Sequence, residues 1–90
     1  MPDVRHETDK HRFVADVEGG MAELEYTLDG DVASFVHTLV PKPARGQDIG
    51  TALVEAGLSW ARNEGMRIVP ACPFVAAYVK KNPKAQDLVA

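Results

Sequence analysis

Cysteine is nearly absent from this 90-residue sequence, in which Cys72 is the only one. A single cysteine excludes an internal disulfide framework and, with no signal-peptide pattern at the start, predicts a cytoplasmic location. No apolar run approaches the roughly 20 residues that span a bilayer, so we expect no membrane partner. Positive charge is not in excess either. The net charge of −3 gives no general affinity for nucleic acid, and none is expected as a partner.

The length predicts a single domain over residues 1–90, near the lower end of the usual domain size, with a correspondingly modest core. Residues 1–10 are polar and show no clear period, so part of this segment is expected to be disordered. The sequence contains neither an internal repeat nor a composition typical of a linker.

Three strand patterns follow in the first half of the chain. Alternation in 11–18 and in 21-MAELEYTL-28 predicts two strands, joined by a hairpin at Gly19-Gly20. The third stretch, 32-VASFVHTLV-40, is apolar on both faces. That composition is typical of a strand that is covered on both sides.

The second half of the chain has helical periodicity. Apolar residues recur at three- and four-residue spacing from Ile49, and Gly65 suits the position that ends such a helix. The stretch 66-MRIVPAC-72 then predicts a short buried strand, and 74-FVAAYVKKN-82 a second helix. We therefore expect an α/β (α+β) fold, in which an antiparallel β-meander is followed by a parallel βα unit and a short C-terminal helix.

The turn 41-PKPARGQDIG-50 lies between the third strand and the long helix. Backbone N–H groups from Gly46 to Gly50 have no partner at a helix start and are able to hold an anion, with Lys42 and Arg45 adding charge-assisted contacts. The alternative is a plain strand–helix loop that needs a glycine for a tight turn. The spacing matches neither the P-loop nor the dinucleotide fingerprint.

Three stretches carry a family resemblance. The segment 45-RGQDIG-50 is similar to the Arg/Gln-x-x-Gly-x-Gly/Ala signature of GCN5-related N-acetyltransferases (GNAT). The segments 37-HTLVP-41 and 70-PACPFVAAYVKKNP-83 resemble the very small, YjdJ-type branch of that family. The resemblance covers roughly residues 12–88. It implies a minimal GNAT-like fold and an N-acetyltransferase that uses acetyl-coenzyme A (acetyl-CoA) to acylate a primary amine.

The same resemblance implies where acetyl-CoA binds. The end of the third strand would hold the pantetheine through its backbone, and the turn would hold the pyrophosphate. The residues implied for these contacts are Leu39, Val40, Lys42, Arg45, Gly46, Gln47, Asp48, Ile49, Gly50 and Thr51. The thioester would lie where the third and fourth predicted strands splay apart, next to Pro70.

Asp48 stands where the signature has a glycine. As an N-cap, its carboxylate would accept a hydrogen bond from the N–H of Gly50 or Thr51, and aspartate tolerates the left-handed conformation. Its charge would also oppose bound phosphates. We therefore expect Asp48 to tune coenzyme affinity.

Tyr78, Cys72 and His37 are the candidate catalytic residues, and no metal site is predicted. The resemblance implies direct attack of the amine, with Tyr78 protonating the departing coenzyme thiolate; otherwise Tyr78 is an anchor for its helix. Cys72 near a helix start is able to take the acetyl group covalently, with His37 as base. The alternatives are a buried cysteine that lines the acetyl pocket and a hydrogen-bonded core histidine.

The acceptor side is expected to be shallow, because the first two predicted strands are joined directly where typical family members carry helices. A shallow site fits an exposed lysine or a protein terminus better than an engulfed metabolite. Alternatively, the second subunit of a homodimer supplies the missing wall. The competing functional hypotheses are a coenzyme A-binding sensor or interaction module without efficient catalysis, and a small interaction domain that binds no coenzyme.

Overall fold

A computed structural model describes residues 3–90, which form a five-stranded sheet packed against helices. The strands are β1 (Arg5–Glu7), β2 (Arg12–Val17), β3 (Gly20–Asp29), β4 (Val32–Leu39) and β5 (Arg67–Val69). The helices are α1 (Ile49–Asn63), α2 (Pro73–Lys81) and α3 (Pro83–Gln86). Over the described part of the chain, none of these helices is both long and apolar enough to cross a membrane.

The spatial order of the strands is the same as their order in the chain, β1-β2-β3-β4-β5. The first four strands are antiparallel neighbours, while β5 returns after α1 and pairs with β4 in parallel. This arrangement confirms the predicted α+β fold, with an antiparallel meander, a parallel βα unit and a C-terminal helix, while β1 and α3 were not predicted.

The polar N-terminal segment differs from the expectation of disorder. Its residues 5–7 form β1, and residues 8–10 form a short 3-10 turn, while Met1 and Pro2 lie outside the described residues. The His6 ring stacks on Phe13 with centroids 4.0 Å apart, so aromatic packing holds the strand in place. A strand this short has no period to recognise in a sequence.

Helix α1 packs closely on the sheet because it has a glycine at the contact. A Cβ on Gly57 would lie 2.9 Å from Cε1 of Phe35 and 3.3 Å from Cδ2 of Leu24. Both side chains are fully buried, as are Leu53 and Ile68 on either side of the contact layer. The core therefore forms where α1 crosses the middle of the sheet.

Strand β4 is not covered on both sides as predicted. Its first half is mostly buried, with Phe35 pointing into the core, but Val36 and Leu39 are 43% and 44% exposed. The pairing with β3 shifts here, since Glu25 faces His37 while Tyr26 faces Phe35, which leaves Val36 as the extra residue of a β-bulge. The apolar residues after the bulge therefore lie on an open face of the sheet.

The pairing of β4 with β5 ends early. It joins only Val32, Ala33 and Ser34 of β4 to β5, after which the chain turns away at Pro70. The N–H of Cys72 donates to the carbonyl of Phe35 at 2.8 Å and closes this turn. Over the described residues no strand pairs with the outer edge of β4 beyond Ser34, as the splay predicted at Pro70 requires.

Candidate active site

A cavity of about 410 Å³ opens where the end of β4 meets the starts of α1 and α2. All of the predicted coenzyme-binding residues line it except Lys42 and Gln47. The structure adds Thr38, Ala44 and Phe74 to the lining. The end of β4 gives the cavity an apolar wall, and the turn gives it backbone groups and charged side chains. One end of the cavity therefore suits apolar groups and the other suits polar or charged groups.

The turn has the backbone conformation that its glycine predicts. Gly46 has φ +85°, and Asp48, at the N-cap position of α1, adopts the left-handed conformation with φ 59° and ψ 23°. The predicted side-chain cap is wrong, because Asp48 makes no capping hydrogen bond. The first N–H groups of the helix are thus left without a side-chain acceptor at the cavity wall.

Arg45 stabilises the turn as well as lining the cavity. Its Nε donates to the carbonyl of Val40 at 3.0 Å, which ties the turn back to the end of β4. Farther up the turn, Pro43 lies against Gly19 of the β2–β3 hairpin, where a Cβ would be only 2.9 Å from the proline ring. Contacts on both sides therefore define the path of the loop.

Cys72 lies beside the cavity at the N-cap of α2 and is 6% exposed. Its Sγ is 3.3 Å from the hydroxyl of Thr38, which lines the cavity. Burial by itself raises the pKa of this thiol. The hydrogen bonds from the Thr38 hydroxyl and from the backbone N–H groups of Val75, Phe74 and Thr38 lower it, and the net pKa is below the ordinary value. The thiol of Cys72 therefore loses its proton more readily than an ordinary cysteine.

His37 is exposed on the outer face of the sheet, so the interpretation as a core histidine is wrong. It faces Glu25 across the strand pair, and its ring, Glu25 and Glu23 bring ligand atoms within 4.8 Å of one another. Glu23 forms an ion pair with Arg12, in which Nη1 of Arg12 is 3.0 Å from Oε2 of Glu23. Within residues 3–90, Glu25 forms no ion pair or side-chain hydrogen bond.

Tyr78 lies one turn beyond Phe74 on α2 and is not among the residues lining the cavity. Its hydroxyl donates to Oε2 of Glu55 on α1 at 3.0 Å. Burial, together with this carboxylate, raises the pKa of Tyr78. The two residues border a second groove of about 390 Å³ between the helices.

The structure therefore brings most of the predicted coenzyme residues together around one cavity with Cys72 beside it, leaves Lys42 and Gln47 off the lining, and places His37 on the outer side of β4. Phe74 lines the cavity although the sequence did not predict it as a site residue. Its position two residues after Cys72, at the start of a helix, was the available signal.

Comparisons with known proteins agree with this geometry. The family model for GCN5-related N-acetyl-transferase matches residues 12–88. Protein NATD1 of Danio rerio is 28% identical over 88 residues, which cover 94% of this chain and 80% of NATD1. The solution structure of a GCN5-like candidate N-acetyltransferase from Staphylococcus aureus superimposes with a TM-score of 0.73 at 20% identity, covering 98% of this chain and 87% of that one. A candidate acetyl transferase from Pyrococcus furiosus gives a TM-score of 0.53 at 27% identity, over 79% and 56% of the two chains.

Proposed function

The chain belongs to the GCN5-related N-acetyltransferase family, and we propose that it transfers the acetyl group of acetyl-CoA to a primary amine. The observation that carries this proposal is the cavity at the end of β4. It is lined by most of the residues that the family signature implies for coenzyme contact. Placement in the YjdJ-type branch, a cytoplasmic location and a homodimer stay predictions.

In this proposal the coenzyme binds along the edge of β4. The edge beyond Ser34 has no strand partner among the described residues. The carbonyls of Phe35 and Val40 already accept from Cys72 and Arg45, so the remaining backbone groups of this edge are the ones proposed to bond the amide groups of the pantetheine. The pyrophosphate occupies the start of α1, where Gly50 and Thr51 line the cavity and no side chain caps the helix. Arg45 supplies positive charge beside it.

The acetyl group passes through Cys72 in the route that we favour. The thiolate attacks the carbonyl carbon of the thioester, and the bond from that carbon to the coenzyme sulfur breaks as the new C–S bond forms. His37 first takes a proton from the ammonium group of the acceptor. The resulting amine attacks acetyl-Cys72, the C–S bond breaks to return the Cys72 thiolate, and the second proton on the nitrogen passes to solvent. The hydrogen bonds that lower the pKa of the thiol support this assignment. Direct attack on acetyl-CoA, with Tyr78 protonating the thiolate, is the competing route.

The acceptor approaches from the outer face of the sheet. Leu39 lines the cavity and is also paired with Glu23 of β3. Only the end of β4 therefore separates the cavity from the outer face of the sheet. Exposed Val36 and Leu39 flank His37 and Glu25. An alkyl stem that carries an ammonium group complements this surface, and so the proposed acceptor is an exposed lysine side chain or a protein terminus.

Coenzyme binding is the first test. Acetyl-CoA at 100 times its dissociation constant is expected to stabilise the fold by about 2.7 kcal/mol, measured by thermal unfolding or calorimetry. Turnover is then measured on lysine-containing peptides and free amines. Saturable coenzyme binding without any acetylated product would favour the sensor or interaction module. No stabilisation at millimolar acetyl-CoA would contradict both hypotheses.

The covalent route has a separate test. Incubation with acetyl-CoA and no amine is expected to leave one acetyl group on the protein, which hydroxylamine removes and Cys72→Ala lacks. If the parent protein carries no adduct and Cys72→Ala keeps near-normal turnover, the amine attacks the thioester directly.

A further inference from the structure

Phe74 rests directly on the backbone of Gly50. A Cβ built on Gly50 would lie 2.8 Å from Cζ and 3.1 Å from Cε2 of the Phe74 ring, and the next nearest atom, at 3.5 Å, belongs to the same ring. Real Cβ atoms do not approach that closely, so any side chain at position 50 would require the ring to move from this position. The contact joins the start of α2 to the first turn of α1.

The tip of the ring makes this contact, and part of the remaining surface of Phe74 is open. Phe74 is 43% exposed although it lines the cavity together with the apolar side chains of Leu39, Val40 and Ile49. An aromatic ring offers no donor to a phosphate, but it does offer apolar surface to an aliphatic chain. Its own backbone N–H points at the Cys72 thiol, so the ring also lies close to where the acyl group is exchanged.

We propose that Phe74 is a coenzyme-binding residue whose exposed surface packs against the acyl-pantetheine arm, and that residue 50 is glycine in order to receive the ring. The inference rests on the proposed function and adds to it a residue outside the family signature. It also assigns Gly50 a role that differs from close approach of a phosphate to the backbone, which is the usual reason for glycine in such a turn.

Fragments of the coenzyme separate the two roles. The probes are acetyl-CoA, S-acetyl-pantetheine, which lacks the nucleotide, and adenosine 3′,5′-bisphosphate, which lacks the arm. Covering about two-fifths of a phenylalanine side chain, at ~25 cal/mol per Å², corresponds to an affinity change of roughly 10- to 70-fold. Phe74→Ala is expected to weaken binding of acetyl-CoA and S-acetyl-pantetheine by about that factor. Binding of adenosine 3′,5′-bisphosphate is expected to stay within twofold.

Leu28→Ala is the matched control, because Leu28 is 44% exposed and lies at the far end of β3, outside the cavity lining. It is expected to leave binding of all three ligands unchanged. Thermal unfolding of each variant without ligand verifies that it is folded. Equal weakening of all three ligands by Phe74→Ala, or no weakening of any, would overturn the assignment of Phe74 to the arm.

A double-mutant cycle tests the role of Gly50. Gly50→Ala alone is expected to displace the ring and weaken acetyl-CoA binding at least fivefold. In the Phe74→Ala background the added methyl group has space, so the same change is expected to cost less than twofold. An equal loss in both backgrounds would show that Gly50 serves the phosphates instead.

The two proposals fail in distinguishable ways. If the parent protein does not bind acetyl-CoA, the proposed function is wrong and the inference is wrong with it. If the parent binds acetyl-CoA and Phe74→Ala binds it equally well, only the inference is overturned.

Discussion

Replacing Asp48 tests how the turn balances stability against coenzyme binding. The residue combines a left-handed backbone with a carboxylate that makes no capping bond and lines the cavity. Two variants separate these properties. Asp48→Asn removes the charge and keeps a side chain that tolerates the left-handed region, while Asp48→Gly also removes the side chain.

Of these two properties of Asp48, the charge is expected to have the larger effect on coenzyme binding. With a phosphate about 6 Å from the carboxylate, and an effective dielectric constant between ~20 and ~80, the repulsion is about 0.7–3 kcal/mol. Both variants are therefore expected to bind acetyl-CoA about tenfold more tightly at low salt. The gain is expected to shrink at high salt, because the screening length falls from about 10 Å at 0.1 M to about 3 Å at 1 M.

The effect on the free protein is expected to be small. A lost side-chain cap would cost about 0.5–2 kcal/mol, but Asp48 makes no such bond. Glycine relieves about 1 kcal/mol of left-handed strain, and it costs about 0.5–1 kcal/mol through the greater freedom of the unfolded chain. The melting temperature of Asp48→Gly is therefore expected to stay close to that of the parent.

Titration calorimetry at two ionic strengths measures the affinities, and Asp31→Asn controls for net charge. Asp31 lies in the turn before β4, at the opposite end of that strand from the cavity, and it is exposed. Unchanged affinity in both Asp48 variants would refute the placement of the phosphates at this turn. A clear fall in the melting temperature of Asp48→Gly would instead point to a stabilising contact of the carboxylate.

Further predictions concern the core, the aromatic cluster and the second helix. Gly57→Ala is expected to destabilise the fold by about 1–3 kcal/mol in urea unfolding, since its methyl group would overlap the Phe35 ring; an unchanged midpoint would contradict the close contact. Burial first, and the nearby His11 second, lower the pKa of His6, so its contribution to stability is complete above its ordinary pKa of 6.5 and is lost as the pH falls through the lower folded value. Unfolding at pH 7.5 and 5.5 is expected to show a smaller pH dependence for His6→Gln than for the parent; equal dependences would exclude this source. Tyr78→Phe is expected to lower turnover less than tenfold, because the hydroxyl donates to a carboxylate on α1 and not into the cavity; a loss of about 10²–10⁴-fold with unchanged coenzyme affinity would identify a proton donor.

Local sequence signals predicted the elements that depend on local physics. The helical period from Ile49 predicted α1, and the glycine pair at Gly19-Gly20 predicted the hairpin between β2 and β3. Most of the cavity lining was named from the family resemblance, because many of these residues are close in sequence around the start of one helix; their contact with a coenzyme stays a prediction. Backbone conformation was predictable too, since Asp48 adopts the left-handed region that the aspartate was expected to tolerate.

What the sequence did not show depends on contacts between distant residues. The bulge at Val36 moves an otherwise regular apolar strand into a new register, and nothing in 32–40 indicates that shift. The contact of Phe74 with Gly50 joins two helices whose relative positions follow from the whole fold. From the sequence, Tyr78 is either a proton donor at the thioester or an anchor for its helix. The packing of α1 against α2 brings its hydroxyl to Glu55.

The chain order of the strands has a consequence for folding. Each antiparallel pair joins neighbours in sequence through a short turn, so β1 to β4 are able to form with little loop-closure entropy. The cavity depends instead on the parallel pairing of β4 with β5, which is only three residue pairs long and joins strands separated in the chain by α1. We therefore expect the segment from β5 onward to open more easily than the meander, and the wall that Phe74 gives the cavity to be lost when it does. A ligand held between Thr38 and Phe74 would join that segment to the meander and slow amide hydrogen exchange in 67–90 more than elsewhere.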